Sequence, residues 1–256
     1  MKLTRADDAR VSVEPQPSTE PPSGEGFALA EGMRESRVAF AKWQKDPKAV
    51  LVPWFTGAAL IAAGLLTAVW LVSLQATPDT VKLPLPGLGE APGLPDFTHV
   101  LGRNLLVLAL HATACVAGFI AGSSVRRVAE TKSGFSRTVH ERAGQLAIAW
   151  VVLVTTFSLL TQALGLGMYA STLADQLQIP TWQLVLTVLP HAMIELTAVF
   201  LPLAAWLIAS RRDEWDDLLA ATIVTVALAL PMLLLAAMLE LELWPRVVEM
   251  VSPVVS

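Results

Sequence analysis

Two ionisable residues stand four positions apart in a stretch that is otherwise apolar enough for a lipid bilayer. The stretch LPHAMIELTAVFLPL contains His191 and Glu195, and Pro190 directly precedes the histidine. At this spacing two side chains of an α-helix point from nearly the same face. Pro190 has no N–H group, so the carbonyl of Leu186 loses its usual donor and a helix kink is predicted there.

A buried acid constrains how the helix that carries it is turned. An acidic side chain at the centre of a bilayer helix costs about 2.5 to 3.5 kcal/mol on insertion scales. Such groups therefore normally face the protein interior or a water-filled cavity. The sequence predicts that Glu195 turns toward other helices, where it meets His191 or a group on a neighbouring helix.

A second histidine and a second glutamate are candidates for the same polar cluster. His111 is seven residues beyond Asn104, and His191 is seven residues beyond Leu184, where their apolar runs begin. If helical spans begin at those two residues, the two imidazoles lie at the same depth in the membrane, and Glu195 lies about one turn deeper. Glu240 closes the last apolar run. The predicted polar cluster comprises His191, Glu195, His111 and Glu240.

Three kinds of chemistry fit these residues. A metal site needs three or four ligands, and the spacing here matches no zinc motif, so an intramembrane metal-dependent hydrolase is the least favoured. Ionisable groups within a membrane also mark proton or solute paths. The favoured interpretation is a hydrogen-bonded cluster that fixes how helices pack. The sequence predicts no catalytic residue, no bound metal and no cofactor.

The elements that position this cluster follow from composition. Of the 256 residues 54% are hydrophobic and 16% are charged, which is too apolar for one soluble domain. Five runs are long enough to cross a hydrocarbon core, which takes about 20 helical residues. The predicted fold is all-α, an integral membrane bundle of five transmembrane helices within residues 49–256. The predicted spans cover residues 50–74, 104–125, 146–168, 184–210 and 218–239.

Orientation follows from the basic residues, because cytoplasmic loops carry an excess of Lys and Arg. With the N-terminus inside, all of the 18 Lys and Arg residues except Lys82, Arg103 and Arg246 lie on the cytoplasmic side. The C-terminus is then outside, and a multi-pass protein of the plasma membrane is predicted.

Three regions surround the predicted spans. Residues 1–48 are a predicted cytoplasmic tail, disordered over its first 28 residues, where Pro, Ser, Glu and Gly are abundant. Its basic juxtamembrane part has Met33, Phe40 and Trp43 on one predicted face, which either lies along the membrane surface or simply flanks the first span. The Pro-rich outer loop, residues 75–103, is either a connector or a docking surface for a partner.

Small residues predict where helices approach closely. Gly118 and Gly122 form a small-xxx-small pattern in the second span, which Asn104 opens, and all three are candidate packing residues. The net charge of -4 and the absence of a phosphate-binding motif argue against nucleic acid or nucleotide as a partner.

The stretch LPHAMIELTAVFLPLAAWLIASRR resembles the stage II sporulation protein M family of multi-pass membrane proteins. That family carries a Pro-His-Gly-x-x-Glu run in a late span, which falls on Pro190, His191 and Glu195, with Ala192 at the glycine. Two further features of the family are an early span that opens with Asn and carries spaced glycines, and a final Ala-x-x-x-Glu sequence. They match Asn104, Gly118, Gly122, Ala236 and Glu240.

The resemblance implies a bacterial cell-membrane scaffold that helps to assemble cell-wall remodelling machinery, in sporulation for the family's named member. We expect partners in the bilayer and envelope, such as cell-wall hydrolases, a transporter ATPase or a second copy of the chain. The protein is expected not to be an enzyme. The alternative is a permease-like transporter subunit that uses the same His and Glu residues as a polar path.

Overall fold

The structure is a computed structural model that describes residues 24–83, 85, 92–120 and 135–255, with side chains from residue 32 onward and, between residues 121 and 151, only at residue 149. The described chain forms helices and no strand. The described residues form six long helices and one 3-10 turn, in this order. They are α1 (Gly24–Trp43), α2 (Pro47–Ser73), α3 (Leu94–Phe119), α4 (Phe135–Gln176), α5 (Thr181–Arg212), the turn Trp215–Asp217 and α6 (Leu218–Val251).

Five of the described helices are long and apolar enough to cross a membrane, which confirms the predicted all-α five-span fold. The apolar stretches are Pro47–Ser73, Leu94–Phe119, Val152–Gln176, Thr181–Arg212 and Trp215–Val251. Successive spanning helices run in opposite directions. We call the end where α2 and α6 begin the α1 end, because Gly32 of α1 lies there against Phe119 and Leu219. The other is the opposite end, where Ser252 Oγ donates to the Leu177 carbonyl at 2.7 Å.

Helix α5 is the centre of the bundle. It packs against α2, α3 and α6, and 61% of its apolar stretch is buried inside the protein, compared with 11% for α4. Phe200, Leu201 and Pro202 of α5 are fully buried. The predicted kink residue, Pro190, is exposed within a helix whose assigned backbone runs unbroken from Thr181 to Arg212. Most of the apolar stretch of α5 therefore contacts other helices of the bundle.

Two glycines mark the closest contacts between helices. A Cβ added to Gly118 of α3 would overlap the Trp206 indole, at 2.6 Å from Cδ1. A Cβ added to Gly167 of α4 would lie 2.5 Å from Cβ of Val72. Glycine at these two positions lets α3 pack closely on α5, and α4 on α2, because any side chain there would overlap the neighbouring helix.

Helix α3 begins inside the predicted outer loop. Gly93 and Pro95 start it, and the Asp96 carboxylate accepts the Gly93 amide at 2.8 Å. Proline in the first turn is already in helical geometry, and an acid there satisfies a free amide and the helix dipole. Helix α3 therefore starts ten residues before Asn104, within the predicted outer loop of residues 75–103.

The residues before α3 form a connector, residues 76–83, that α4 holds by its side chains. Ser171 Oγ donates to the Ala76 carbonyl at 3.0 Å, and Thr172 Oγ1 accepts the Asp79 amide at 3.0 Å. The Gln176 amide accepts from Leu83 N at 2.8 Å and donates to Leu83 O at 3.0 Å. All four bonds reach main-chain atoms of the connector.

Helix α1 packs on the bundle rather than only flanking it. Of the predicted disordered tail, residues 1–23 lie outside the described residues, while residues 24–28 are helical. The buried face of α1 comprises Gly32, Ser36 and Ala39, whereas Met33 is 54% exposed. Met33 of the predicted apolar face therefore lies off the face that packs on the bundle, where small residues allow a close approach to α3 and α6.

Candidate functional site

Glu195 lies between α3 and α6, in the half of the bundle near the opposite end. Its half-buried carboxylate interacts with Asn104 and Arg103 of α3 and with Glu240 of α6. We call these four residues the carboxylate cluster. Of the two sequence alternatives for Glu195, the structure shows contact with neighbouring helices, and no ion pair joins it to His191 among the described residues.

Asn104 is the most deeply buried member of the carboxylate cluster, at 3% exposure. Its amide interacts with the Glu195 carboxylate, but the nitrogen falls short of full hydrogen-bond geometry with any described group. Glu240 Oε2 is likewise buried without a hydrogen bond from the described residues. A buried polar atom without a full hydrogen bond costs about 1 to 3 kcal/mol, and the attraction of Arg103 for both carboxylates offsets part of this cost.

Arg103 and Tyr169 border the carboxylate cluster toward the opposite end. Arg103 is exposed and interacts with both Glu195 and Glu240. Tyr169 of α4 is 42% exposed and interacts with Arg103 and Glu240. Sequence reasoning missed both residues. The available signal was Arg103 itself, a basic residue that directly precedes the polar Asn104 at the start of a long apolar run.

The two histidines do not meet, which corrects the predicted polar cluster. The His111 ring packs edge-on against Phe200, with ring centroids 5.3 Å apart. Phe200 is nine residues beyond His191 on α5, which is about 13 Å along the axis. His111 is therefore deeper than Glu195, whereas His191 is nearer the opposite end. His191 is 8% exposed and makes no hydrogen bond within the part of the chain that the structure describes.

An apolar layer lies beneath the carboxylate cluster on the side of the α1 end. Leu108 of α3, Phe200 of α5 and Leu233 of α6 are at most 3% exposed and belong to one hydrophobic core. Leu108 is one helical turn beyond Asn104, so this layer begins directly below the cluster. This layer closes the cluster toward the α1 end in the described structure.

The remaining candidate residues have separate positions. Gly118 contacts Trp206, as described above, and Gly122 lies outside the described residues. Across the described ranges no three His, Cys, Asp or Glu side chains come close enough to hold a metal ion. The hydrolase alternative therefore lacks a ligand set in that part of the chain.

The fold and the carboxylate cluster define a multi-pass membrane protein with a polar centre buried between three of its helices. No family model matches the chain, and comparison with curated proteins and with solved structures found no similar protein. The resemblance to stage II sporulation protein M stays a prediction from the sequence.

Proposed function

We propose that this protein is a multi-pass scaffold or anchoring component of the plasma membrane, with its N-terminus inside, that assembles envelope or cell-wall remodelling machinery. The observation that carries the proposal is that Glu195 of α5 lies against Asn104 and Arg103 of α3 and Glu240 of α6, above an apolar layer. This arrangement favours a role in holding helices together over a path across the membrane.

Each contact in the carboxylate cluster contributes little free energy, but together the contacts determine how α5 is rotated within the bundle. Hydrogen bonds between membrane helices average about 0.6 kcal/mol and reach about 1.7 kcal/mol. Glu195 faces two helices at once, so a rotation of α5 would expose a carboxylate to lipid at a cost of about 2.5 to 3.5 kcal/mol. The cluster thus fixes the rotation of the central helix and keeps the outer surface of the bundle constant for a partner.

The resemblance of α5 to the stage II sporulation protein M family supports envelope proteins as partners, with cell-wall hydrolases and a transporter ATPase as the classes to test. Under this proposal the protein catalyses no reaction itself. Its contribution to sporulation, or to another envelope process, is to hold the machinery at the membrane.

Crosslinking in native membranes followed by purification of the tagged full chain tests the scaffold. We expect a specific envelope protein to be recovered with the wild type and equally with Glu195→Gln, because glutamine keeps the shape and the hydrogen-bonding capacity of the side chain. The proposal is contradicted if no envelope protein is enriched over a tagged unrelated membrane protein.

A permease-like transporter subunit is the second candidate, favoured by the exposed Arg103, through which the carboxylate cluster reaches one side of the bundle. Purified protein in proteoliposomes distinguishes the two functions. Proton-coupled flux that is abolished by Glu195→Gln would establish transport and displace the scaffold. A scaffold gives no flux in either protein.

A further inference from the structure

A cavity of about 170 Å³ opens at the α1 end, between the last turn of α1, the first turns of α2 and the junction of α5 with α6. Four charged side chains line it: Lys42, Arg212, Glu214 and Asp217. The apolar spans end at this level, so the cavity lies where the headgroups of a bilayer would be. Neither the carboxylate cluster nor the proposed scaffold role uses it.

The charges in this cavity are only partly paired. Lys42 Nζ lies 3.4 Å from Glu214 Oε1 and 3.4 Å from Asp217 Oδ2. Asp217 raises the pKa of Lys42, burial opposes the rise and Glu214 adds to it. Arg212 makes no hydrogen bond or ion pair with any residue that the structure describes. The cavity therefore holds one shared ammonium, two carboxylates and a guanidinium available to an anion.

One side of the cavity suits a phosphate group. Arg212 lines it beside Ala49 and Val50, in the first turn of α2. The Asp46 carboxylate already accepts the Ala49 amide at 3.2 Å and so caps the start of α2. The anion contact on this side is therefore the Arg212 guanidinium, which binds phosphate through two parallel hydrogen bonds.

The other side suits a small cation. Glu214 and Asp217 are close enough together to contact one ammonium, as Lys42 shows. Trp43 and Trp54 stand edge to face, with ring centroids 5.2 Å apart, and both line the cavity. Tryptophan faces attract cations, and tryptophan is favoured at the membrane interface.

The floor of the cavity is apolar. Ala205, Ile208 and Ala209 of α5 and Ala221 of α6 line it on the side of the hydrocarbon core. A ligand that carries a phosphate, an ammonium and an apolar continuation matches all three parts of the lining. A soluble phosphate would leave both the carboxylates and the floor without a counterpart.

We propose that this cavity binds the headgroup of a zwitterionic phospholipid with a primary amine, the phosphoethanolamine class. The phosphate contacts Arg212, and the ammonium joins Lys42 at Glu214 and Asp217. A primary ammonium can donate hydrogen bonds to the two carboxylates, as Lys42 does, whereas choline has no N–H group, and this difference favours ethanolamine. An anionic lipid without an amine would face the two carboxylates and bind less well.

Native mass spectrometry of the full chain, released from nanodiscs of equal parts phosphatidylethanolamine, phosphatidylcholine and phosphatidylglycerol, tests the site. We expect one retained phosphatidylethanolamine molecule and about tenfold less retention in Arg212→Gln, since a charge-assisted hydrogen bond is lost. The matched control is Arg211→Gln, the adjacent exposed arginine that does not line the cavity, which should retain the lipid. Replacing both carboxylates, as Glu214→Gln with Asp217→Asn, should shift retention toward phosphatidylglycerol.

A second measurement needs no variant. A phosphatidylethanolamine analogue with a photoreactive group on its headgroup should label residues of the cavity lining, and excess free phosphoethanolamine should not prevent the labelling. Labels confined to other surfaces would overturn the proposal. Equal loss of lipid in the two arginine variants, equal retention of all three lipids, or complete competition by free phosphoethanolamine would also overturn it.

Discussion

Gly167 contacts α2, so its substitution should carry a steric penalty that substitution of Gly165, two residues away, does not. A Cβ at Gly167 would lie 2.5 Å from both Cβ and Cγ1 of Val72 and 3.0 Å from the Val69 carbonyl oxygen. A Cβ at Gly165 would meet no described atom within 4 Å. Gly167→Ala and Gly165→Ala thus add the same methyl group to the same helix in two different surroundings.

The expected difference follows from these distances. Valine is stiff about its first side-chain torsion, and a backbone oxygen cannot move by itself, so α2 and α4 must separate. Overpacking of this kind costs about 1 to 3 kcal/mol. Replacing glycine by alanine within a helix gains about 0.5 to 1 kcal/mol at both positions. That gain cancels in the comparison, and Gly167→Ala should be less stable than Gly165→Ala by about 1 to 3 kcal/mol.

Equilibrium unfolding of the full chain in mixed micelles, followed by far-ultraviolet circular dichroism, measures the difference. A second test combines Gly167→Ala with Val72→Gly, which removes the clashing atoms, so the two destabilisations should be less than additive. The packing argument is refuted if Gly167→Ala is as stable as Gly165→Ala, or if the double variant shows simple additivity.

Three further predictions concern the other contacts. In a double-mutant cycle, Asn104→Ala and Glu195→Ala should show a coupling of about 0.6 to 1.7 kcal/mol in unfolding free energy, and zero coupling would contradict their contact. Gly118→Ala should unfold more readily than Gly102→Ala by about 1 to 3 kcal/mol, because a Cβ at Gly118 overlaps an indole whereas one at Gly102 meets no described atom within 4 Å. The pKa of Lys42 is raised by Asp217 above its ordinary value of 10.5, so its ion pairs stabilise the fold below that pH and are lost as pH rises through the folded pKa. Thermal denaturation between pH 9 and 12 should therefore show a small loss in the wild type that Lys42→Gln lacks, and identical pH profiles would contradict it.

The five spans could be predicted from the sequence because the bilayer imposes them. A charged residue within a spanning helix is costly, so long runs with at most one charge identify helices without knowledge of their partners. The same cost predicted that Glu195 turns inward. These conclusions depend on the properties of each run alone and not on how one run lies beside another.

The partners of Glu195 could not be predicted in full, because helix register depends on side-chain contacts. Counting from Asn104 placed His111 level with His191, but α3 begins at Leu94, ten residues before Asn104. The first part of α3 contains polar residues, Asp96 and Arg103 among them. A search for apolar runs therefore did not find the start of this helix. The contact between Gly118 and Trp206 then sets how α3 slides along α5, and no composition or periodicity encodes that pairing.

Helix α4 holds the connector only through main-chain atoms, so the path of that segment does not depend on its side chains. Ser171, Thr172 and Gln176 bind backbone amides and carbonyls, and substitutions along residues 76–83 therefore leave these hydrogen bonds intact. Proline is the exception at positions 79 and 83, where an N–H is required. Natural variation or laboratory selection can therefore re-specify the exposed side chains of this surface without redesigning the membrane bundle beneath it.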